Sequence, residues 1–107
     1  CQFADAIDVR VSYFDDDDQS GDAASYTLNL TNRCSSCQGF GFRITNSWES
    51  YAISKQPNQG QYTLYVYDNS NCGGNTATLT TPWGNIPGRL ADSVDSWILC
   101  PPGVRLP

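Results

Sequence analysis

The sequence contains no histidine and no methionine, and it has no apolar run as long as a membrane-spanning helix requires. Without histidine, the usual Ser-His-Asp and Cys-His catalytic arrangements and histidine-containing zinc sites are excluded. Carboxylate pairs remain as candidate acid/base groups, but Asp92, Asp95 and Glu49 lie in polar loops with no sign of an apolar pocket that would raise a pKa. We therefore expect a protein that is not an enzyme and has no membrane partner.

Basic residues are also scarce. Six Lys and Arg face eleven Asp and Glu, so the net charge is -5. Affinity for nucleic acid comes largely from clustered Lys and Arg, and the six basic residues are scattered along the chain. Nucleic acid is therefore excluded as an expected partner, and we expect a monomer.

Cysteine, in contrast, is abundant, with five in 107 residues. This density favours an oxidised, secreted protein, and a chain that begins at Cys1 rather than Met predicts a removed signal peptide. Cys34 and Cys37 could close on each other, and Cys72 and Cys100 flank the second half, which would leave Cys1 free or intermolecular. The connectivity stays open. A redox-active CSSC segment would need a βαβ setting, which the sequence does not contain.

Two segments of the chain recur in the same order. Phe14 to Thr27 aligns without a gap on Tyr67 to Thr80, at an offset of 53 residues, and Asn46 to Ile53 aligns on Asp92 to Leu99, at an offset of 46. The first half therefore carries about seven extra residues between its segments, around Asn32 to Gln38. Repeats of this length indicate supersecondary units that bury a core by facing each other.

Alternating apolar and polar residues, each series running into an Asp/Asn/Gly turn, predict hairpins of β-strands. Residues 56–61 form a connector too short for independent domains, so we expect one domain over 1–107, with motif one at about 6–55 and motif two at about 61–100. We expect two four-stranded antiparallel sheets packed face to face. The predicted core contains Leu28, Ile44, Leu64, Leu79, Val94 and Ile98.

Each half resembles a Greek-key motif of the βγ-crystallin family. Both contain an aromatic residue, an acidic hairpin and a glycine, followed by a polar loop with paired serines; Phe14 and Gly21 correspond to Tyr67 and Gly74. The folded hairpin of such motifs is expected to need a residue that tolerates a positive φ or close packing beneath an aromatic ring. The resemblance implies an all-β, βγ-crystallin-like sandwich of two Greek keys, similar to secreted fungal members.

The resemblance also implies Ca²⁺ as a cofactor. Calcium-binding members use loops of the pattern Asn/Asp, Asn/Asp, any, any, Ser/Thr, Ser, here Thr45 to Ser50 and Ala91 to Ser96, which depart from the pattern at the first and fifth positions. A carboxylate at the fifth position still suits a hard cation. The alternative interpretation is a solvated Asp turn, with Arg10, Arg43 or solvent compensating the charge. In the family's crossed arrangement, one predicted site contains Asp15, Asp16, Asp92 and Asp95, and the other contains Asp68, Asn69, Asn46 and Glu49.

Other candidate functional residues are the tryptophans and a glycosylation sequon. Trp97 is expected in the core; Trp83 lies in a turn-rich stretch and is the better surface candidate, although packing is favoured for it too. Asn29 begins an N-glycosylation sequon and must face water to be modified. We expect a non-enzymatic, secreted structural or storage protein. The alternative is an antimicrobial or protease-inhibitor-like interaction module with a cell-wall or protein partner, engaged near Trp83 or Cys34 to Cys37.

Overall fold

A computed structural model describes residues 7–40, 48–54, 60–91 and 93–106. Within these ranges the protein is all-β and contains no helix, hence none long and apolar enough to cross a membrane. The described residues contain seven strands: β1 (Ile7–Asp16), β2 (Ser20–Leu30), β3 (Ser50–Ser54), β4 (Thr63–Tyr67), β5 (Thr76–Leu79), β6 (Trp83–Asn85) and β7 (Ser96–Cys100).

The strands form two antiparallel sheets, and the halves of the chain exchange segments between them. The first sheet has the order β2-β1-β3-β6, so β6 of the second half completes the sheet of the first half. The second sheet has the order β5-β4-β7. The hairpins β1–β2 and β4–β5 confirm those predicted from the sequence. Strand β6 lies in a Pro- and Gly-containing stretch that was predicted to be a turn.

The second sheet has three strands in the described residues rather than the predicted four. Gln38 pairs with Trp97 in an isolated bridge, and the Ser35 amide donates to the Leu99 carbonyl at 2.8 Å. Three residue steps on one side therefore match two steps on the other, which is a bulge that interrupts a regular ladder. The segment 35–38 still covers the β7 edge of this sheet, as β6 covers β3 in the first sheet.

The inner faces of both sheets meet in one hydrophobic core. In β4, Leu64 and Val66 are buried, and the alternate residues Thr63, Tyr65 and Tyr67 are half-buried. This is the period of a strand with one face inward. Of the predicted core residues, Leu64, Leu79 and Val94 are buried, and Leu28 packs against the core while partly exposed. Ile44 lies outside the described residues.

Ile98 was wrongly assigned to the core. Its neighbours Trp97 and Leu99 are both fully buried, whereas Ile98 is half-buried. Because successive side chains of a strand point to opposite faces, the burial of Trp97 and Leu99 directs Ile98 to the outer face of the second sheet. The expectation that Trp97 is a core residue is confirmed.

Four cysteines form two disulfides, Cys34–Cys100 and Cys37–Cys72. The four cysteines predicted to be bonded are the ones that are bonded, and the connectivity left open by the sequence is not the pairing within CSSC and between Cys72 and Cys100. The physical reason is the exchange of segments: residues 35–38 run along β7 of the other half, so each cysteine of CSSC faces a cysteine distant in sequence. Two intramolecular disulfides are consistent with an extracellular protein. Cys1 lies outside the described residues.

Candidate functional site

The acidic hairpin between β1 and β2 is held by its own carboxylate. The Asp22 amide donates to Asp15 Oδ1 at 2.9 Å, and the backbone between them turns through positive φ at Asp18, Gln19 and Gly21. A Cβ at Gly21, whose φ is 83°, would collide with the Asp15 and Asp16 carboxyl groups. The positive φ predicted for this glycine is thus confirmed, whereas the close packing is against the two carboxyl groups and not beneath an aromatic ring.

A buried serine of β3 closes the same hairpin. Ser50 is fully buried, and its hydroxyl donates to the Asp16 carbonyl at 2.6 Å and accepts from the Gln19 amide at 2.9 Å. The Gln19 side chain adds longer bonds, with Nε2 donating to the Gly84 carbonyl at 3.1 Å and to the Tyr51 carbonyl at 3.4 Å. Ser50 therefore satisfies hairpin backbone groups that would otherwise be left unpaired.

The hairpin between β4 and β5 repeats this arrangement. Asp68 Oδ1 accepts from the Asn75 amide at 2.9 Å, and Gly74 has a φ of 80° with the Asp68 and Asn69 side chains packed over it. Ser96 is fully buried; its hydroxyl donates to the Asn69 carbonyl and accepts from the Cys72 amide at 2.8 Å. The repeat recognised in the sequence is thus a repeat of specific hydrogen bonds.

The two acidic loop residues lie beside the hairpins of their own halves. The Glu49 amide donates to the Phe14 carbonyl at 2.8 Å, and the Asp95 amide donates to the Tyr67 carbonyl at 2.8 Å. Asp15 is half-buried, whereas Asp16 is exposed. No ion pair joins residues 15–18 to a basic side chain within the described part of the chain, so the structure there provides no cation for this charge.

The predicted calcium ligands are only partly described, because Asp92 and Asn46 lie outside the described residues. The remaining members are Asp15, Asp16 and Asp95 of one site, and Asp68, Asn69 and Glu49 of the other. Over residues 7–40, 48–54, 60–91 and 93–106, no three His, Cys, Asp or Glu side chains form a group that could hold a metal ion. The two ligand sets stay predictions.

Strand β6 makes a contact between the halves that was not predicted from the sequence. Asn85 of β6 accepts a hydrogen bond from the Asp18 amide at its Oδ1, at 2.9 Å, and the next residue, Ile86, donates from its amide to the Glu49 carbonyl at 2.7 Å. Both the tip of the acidic hairpin and the serine loop of the first half thus contact the strand contributed by the second half. An asparagine in a turn-rich stretch gave no sequence signal for this.

The tryptophans differ sharply in exposure. Trp48 is 3% exposed, whereas Trp83 is 63% exposed, so the expectation that Trp83 is packed was wrong. Trp83 lies on the short edge strand β6, opposite Ala52, where the sheet ends. Tyr13 is at the centre of the aromatic core, and burial, followed by the proximity of Tyr26, raises its pKa well above the ordinary value. Its hydroxyl has no hydrogen-bond partner among the described residues.

Asn29 is exposed on β2, as its sequon requires. Its Nδ2, the atom that glycosylation would modify, donates to Asp8 Oδ1 at 2.6 Å. Glycosylation would replace one of the two Nδ2 hydrogens and leave the other to donate to Asp8.

Comparison with known proteins gives no further assignment: no protein-family model, no curated protein and no solved structure matches this chain.

Proposed function

We propose that this chain is a single, secreted, non-enzymatic domain of the βγ-crystallin type, with a structural or storage role and calcium bound at its hairpin and serine-loop sites. The observation that carries the proposal is the matched pair of hairpins. In each, a carboxylate accepts from the returning strand and a buried serine bridges a hairpin carbonyl and a hairpin amide. Two Greek keys related by a pseudo-twofold axis would place the same bonds in both halves.

The crossed arrangement of the calcium sites comes from the family resemblance, because the Glu49 and Asp95 amides each bond to a strand of their own half. The exchange of β6 brings the two halves together at the first hairpin. Asn85 and Ile86 bring the second half against the Asp18 amide and the Glu49 carbonyl of the first. Calcium prefers six to eight oxygen ligands from carboxylates, carbonyls and water. The run Asp15 to Asp18 concentrates negative charge that a divalent cation would compensate.

Isothermal titration of metal-free protein with Ca²⁺ tests this function directly. We expect saturable binding of Ca²⁺ at up to two unequal sites. The more acidic ligand set, which contains Asp15 and Asp16, should have the higher affinity for Ca²⁺. Mg²⁺ should bind poorly, because it requires a tight octahedral shell and keeps its waters. Absence of saturable heat with millimolar Ca²⁺ would leave the hairpins as solvated turns and remove calcium from the proposal.

The exposed Trp83 favours a second candidate function, an interaction module for a cell-wall or protein partner. An exposed aromatic on an edge strand can stack on a sugar ring or fill a partner's pocket. Binding to polysaccharide preparations that is lost in Trp83→Ala but retained in Tyr65→Ala, a half-buried aromatic of the central strand β4, would favour this candidate. Equal retention by both variants would exclude Trp83 as the contact.

A further inference from the structure

A cavity of about 440 Å³ lies between the chain segment after β2 and the C-terminal tail. Its lining includes Ile98 on the outer face of β7, Arg33 of the segment, and Val104, Arg105 and Leu106 of the tail. The volume falls within the range typical of small-molecule sites, about 300–1,000 Å³. The cavity uses no residue of the calcium hairpins, so it is independent of the function proposed above.

Both walls of the cavity are fixed by covalent and hydrogen-bonded anchors. Cys34 is bonded to Cys100, and Ser35 pairs with Leu99 through its amide at 2.8 Å and its hydroxyl at 3.0 Å. The tail turns back at Gly103, with a φ of 78° and the Val104 amide donating to the Pro101 carbonyl at 3.1 Å. This Pro-Gly turn, of the kind that requires positive φ at its third residue, places Val104 beside the segment. The site therefore loses little ordering entropy on binding a ligand.

The lining combines an apolar surface with two positive charges. Ile98, Val104 and Leu106 are half-buried, and Arg33 and Arg105 are exposed. Neither arginine has an ion pair within the described ranges. In a chain with only six basic residues and a net charge of -5, two unpaired guanidinium groups on one apolar cavity form a local anion site.

A neighbouring cavity of about 280 Å³ extends the apolar surface without adding charge. It shares Asn32 and Val104 with the first cavity and is otherwise lined by neutral residues, among them Tyr62 and Pro102. The two cavities together form one groove, which is positively charged at the larger cavity and neutral at the smaller one. This polarity fits a ligand with one anionic end and a hydrocarbon chain.

We propose that the groove binds a straight-chain monocarboxylic acid of fatty-acid type, with its carboxylate between Arg33 and Arg105 and its chain along Ile98 and Val104 into the neutral cavity beside Tyr62. A carboxylate accepts paired hydrogen bonds from guanidinium groups, and the chain removes apolar surface from water. The seven-residue excess of the first half supplies Arg33, so the groove has no counterpart in the second half.

Titration of the intact, oxidised protein with hexanoate, octanoate and decanoate, each below its micelle concentration, tests the groove. We expect affinity to rise with chain length, by up to about fourfold for each methylene that is fully buried. Amide shifts in ¹H–¹⁵N NMR spectra should centre on Ile98 and Val104. Shifts spread over the surface, or affinity independent of chain length, would overturn the proposal.

The charge of the site is tested by comparing octanoate with 1-octanol. Arg33→Gln and Arg105→Gln should each weaken octanoate about two- to fivefold, and together about tenfold, while leaving 1-octanol unchanged. Arg10→Gln, which removes an exposed charge from β1, is the matched control and should leave octanoate binding unchanged. An equal loss in Arg10→Gln, or an equal loss for 1-octanol, would show that the two arginines do not bind the carboxylate.

Discussion

The two halves fix equivalent hairpins in different ways. Gln19 and Cys72 occupy the same position of the repeat, and the amide of each donates to the buried serine of its half. The Gln19 side chain then reaches across to the Gly84 carbonyl by a hydrogen bond, whereas Cys72 is bonded covalently to Cys37. Both contacts join a hairpin to the segment contributed by the other half. At this position of the repeat, the first half thus has the side-chain hydrogen bond of Gln19 and the second half has the Cys37–Cys72 disulfide.

We expect the largest loss of stability from removal of the Cys37–Cys72 disulfide. The double variant Cys37→Ser/Cys72→Ser opens a connection between residues 35 apart, which costs about 4 kcal/mol in the chain-entropy treatment. Gln19→Ala, in the other half, loses two long neutral hydrogen bonds and should cost about 1 kcal/mol. Urea unfolding measures both free energies, with the m-value fitted separately for each variant because opening the disulfide makes the unfolded chain less compact. Equal costs would show that the two contacts contribute equally to stability and would contradict this prediction.

Calcium tests whether the halves differ in metal affinity. If the set containing Asp15, Asp16, Asp92 and Asp95 binds one ion, a hundredfold excess of Ca²⁺ over Kd should raise the free energy of unfolding by about 2.7 kcal/mol. Asp95→Ala should remove most of this rise, whereas Glu49→Ala should affect only the weaker site. Asp8→Ala, an exposed carboxylate of β1, is the control and should retain the rise. The same melting temperature in chelator and in millimolar calcium would contradict this prediction.

The buried serines test how closely the halves match. Ser50→Ala and Ser96→Ala each leave a hairpin carbonyl and a hairpin amide without the hydroxyl of a buried serine, and each should cost about 2 kcal/mol. The cost at Ser96 should fall below that at Ser50 only if the disulfide at Cys72 limits relaxation of the hairpin. Thermal unfolding of the two variants, measured side by side, gives the comparison. Ser12→Ala, in an exposed hydroxyl pair with Ser25, should change stability little.

Local features of the fold were predictable from the sequence, whereas contacts between the halves were not. The hairpins follow from strand periodicity and turn chemistry, which act over a few residues. Gly21, Gly74 and the paired serines were identified through the internal repeat and the family resemblance. The pairing of Cys37 with Cys72 depends on which segment crosses to the other sheet, and alternation alone does not specify this. The exposure of Trp83 has the same origin, because β6 forms an edge strand only after it has crossed.

The smallest expected effect concerns the cores of the two halves, where Tyr13 in the first corresponds to Val66 in the second. Both are fully buried, but Tyr13 carries a hydroxyl without a hydrogen-bond partner in the described residues. Tyr13→Phe removes this polar group from the core and should stabilise the protein at neutral pH by about 1 kcal/mol.

The pH dependence provides a second measurement on the same variant. Because burial raises the pKa of folded Tyr13 above its ordinary value of 10.0, the neutral phenol is favoured in the folded state. Its contribution to stability is complete below pH 10 and is lost as pH rises from there toward the folded-state pKa, since only the unfolded chain releases the proton readily. Tyr13→Phe should therefore lose less stability than the parent protein between pH 9 and 11. Val66→Ala, which makes a cavity but changes no titrating group, should be less stable at every pH with an unchanged slope. A steeper loss of stability at alkaline pH in Tyr13→Phe than in the parent protein would contradict this prediction. It would mean that the Tyr13 hydroxyl is ionised or well hydrogen-bonded in the folded protein.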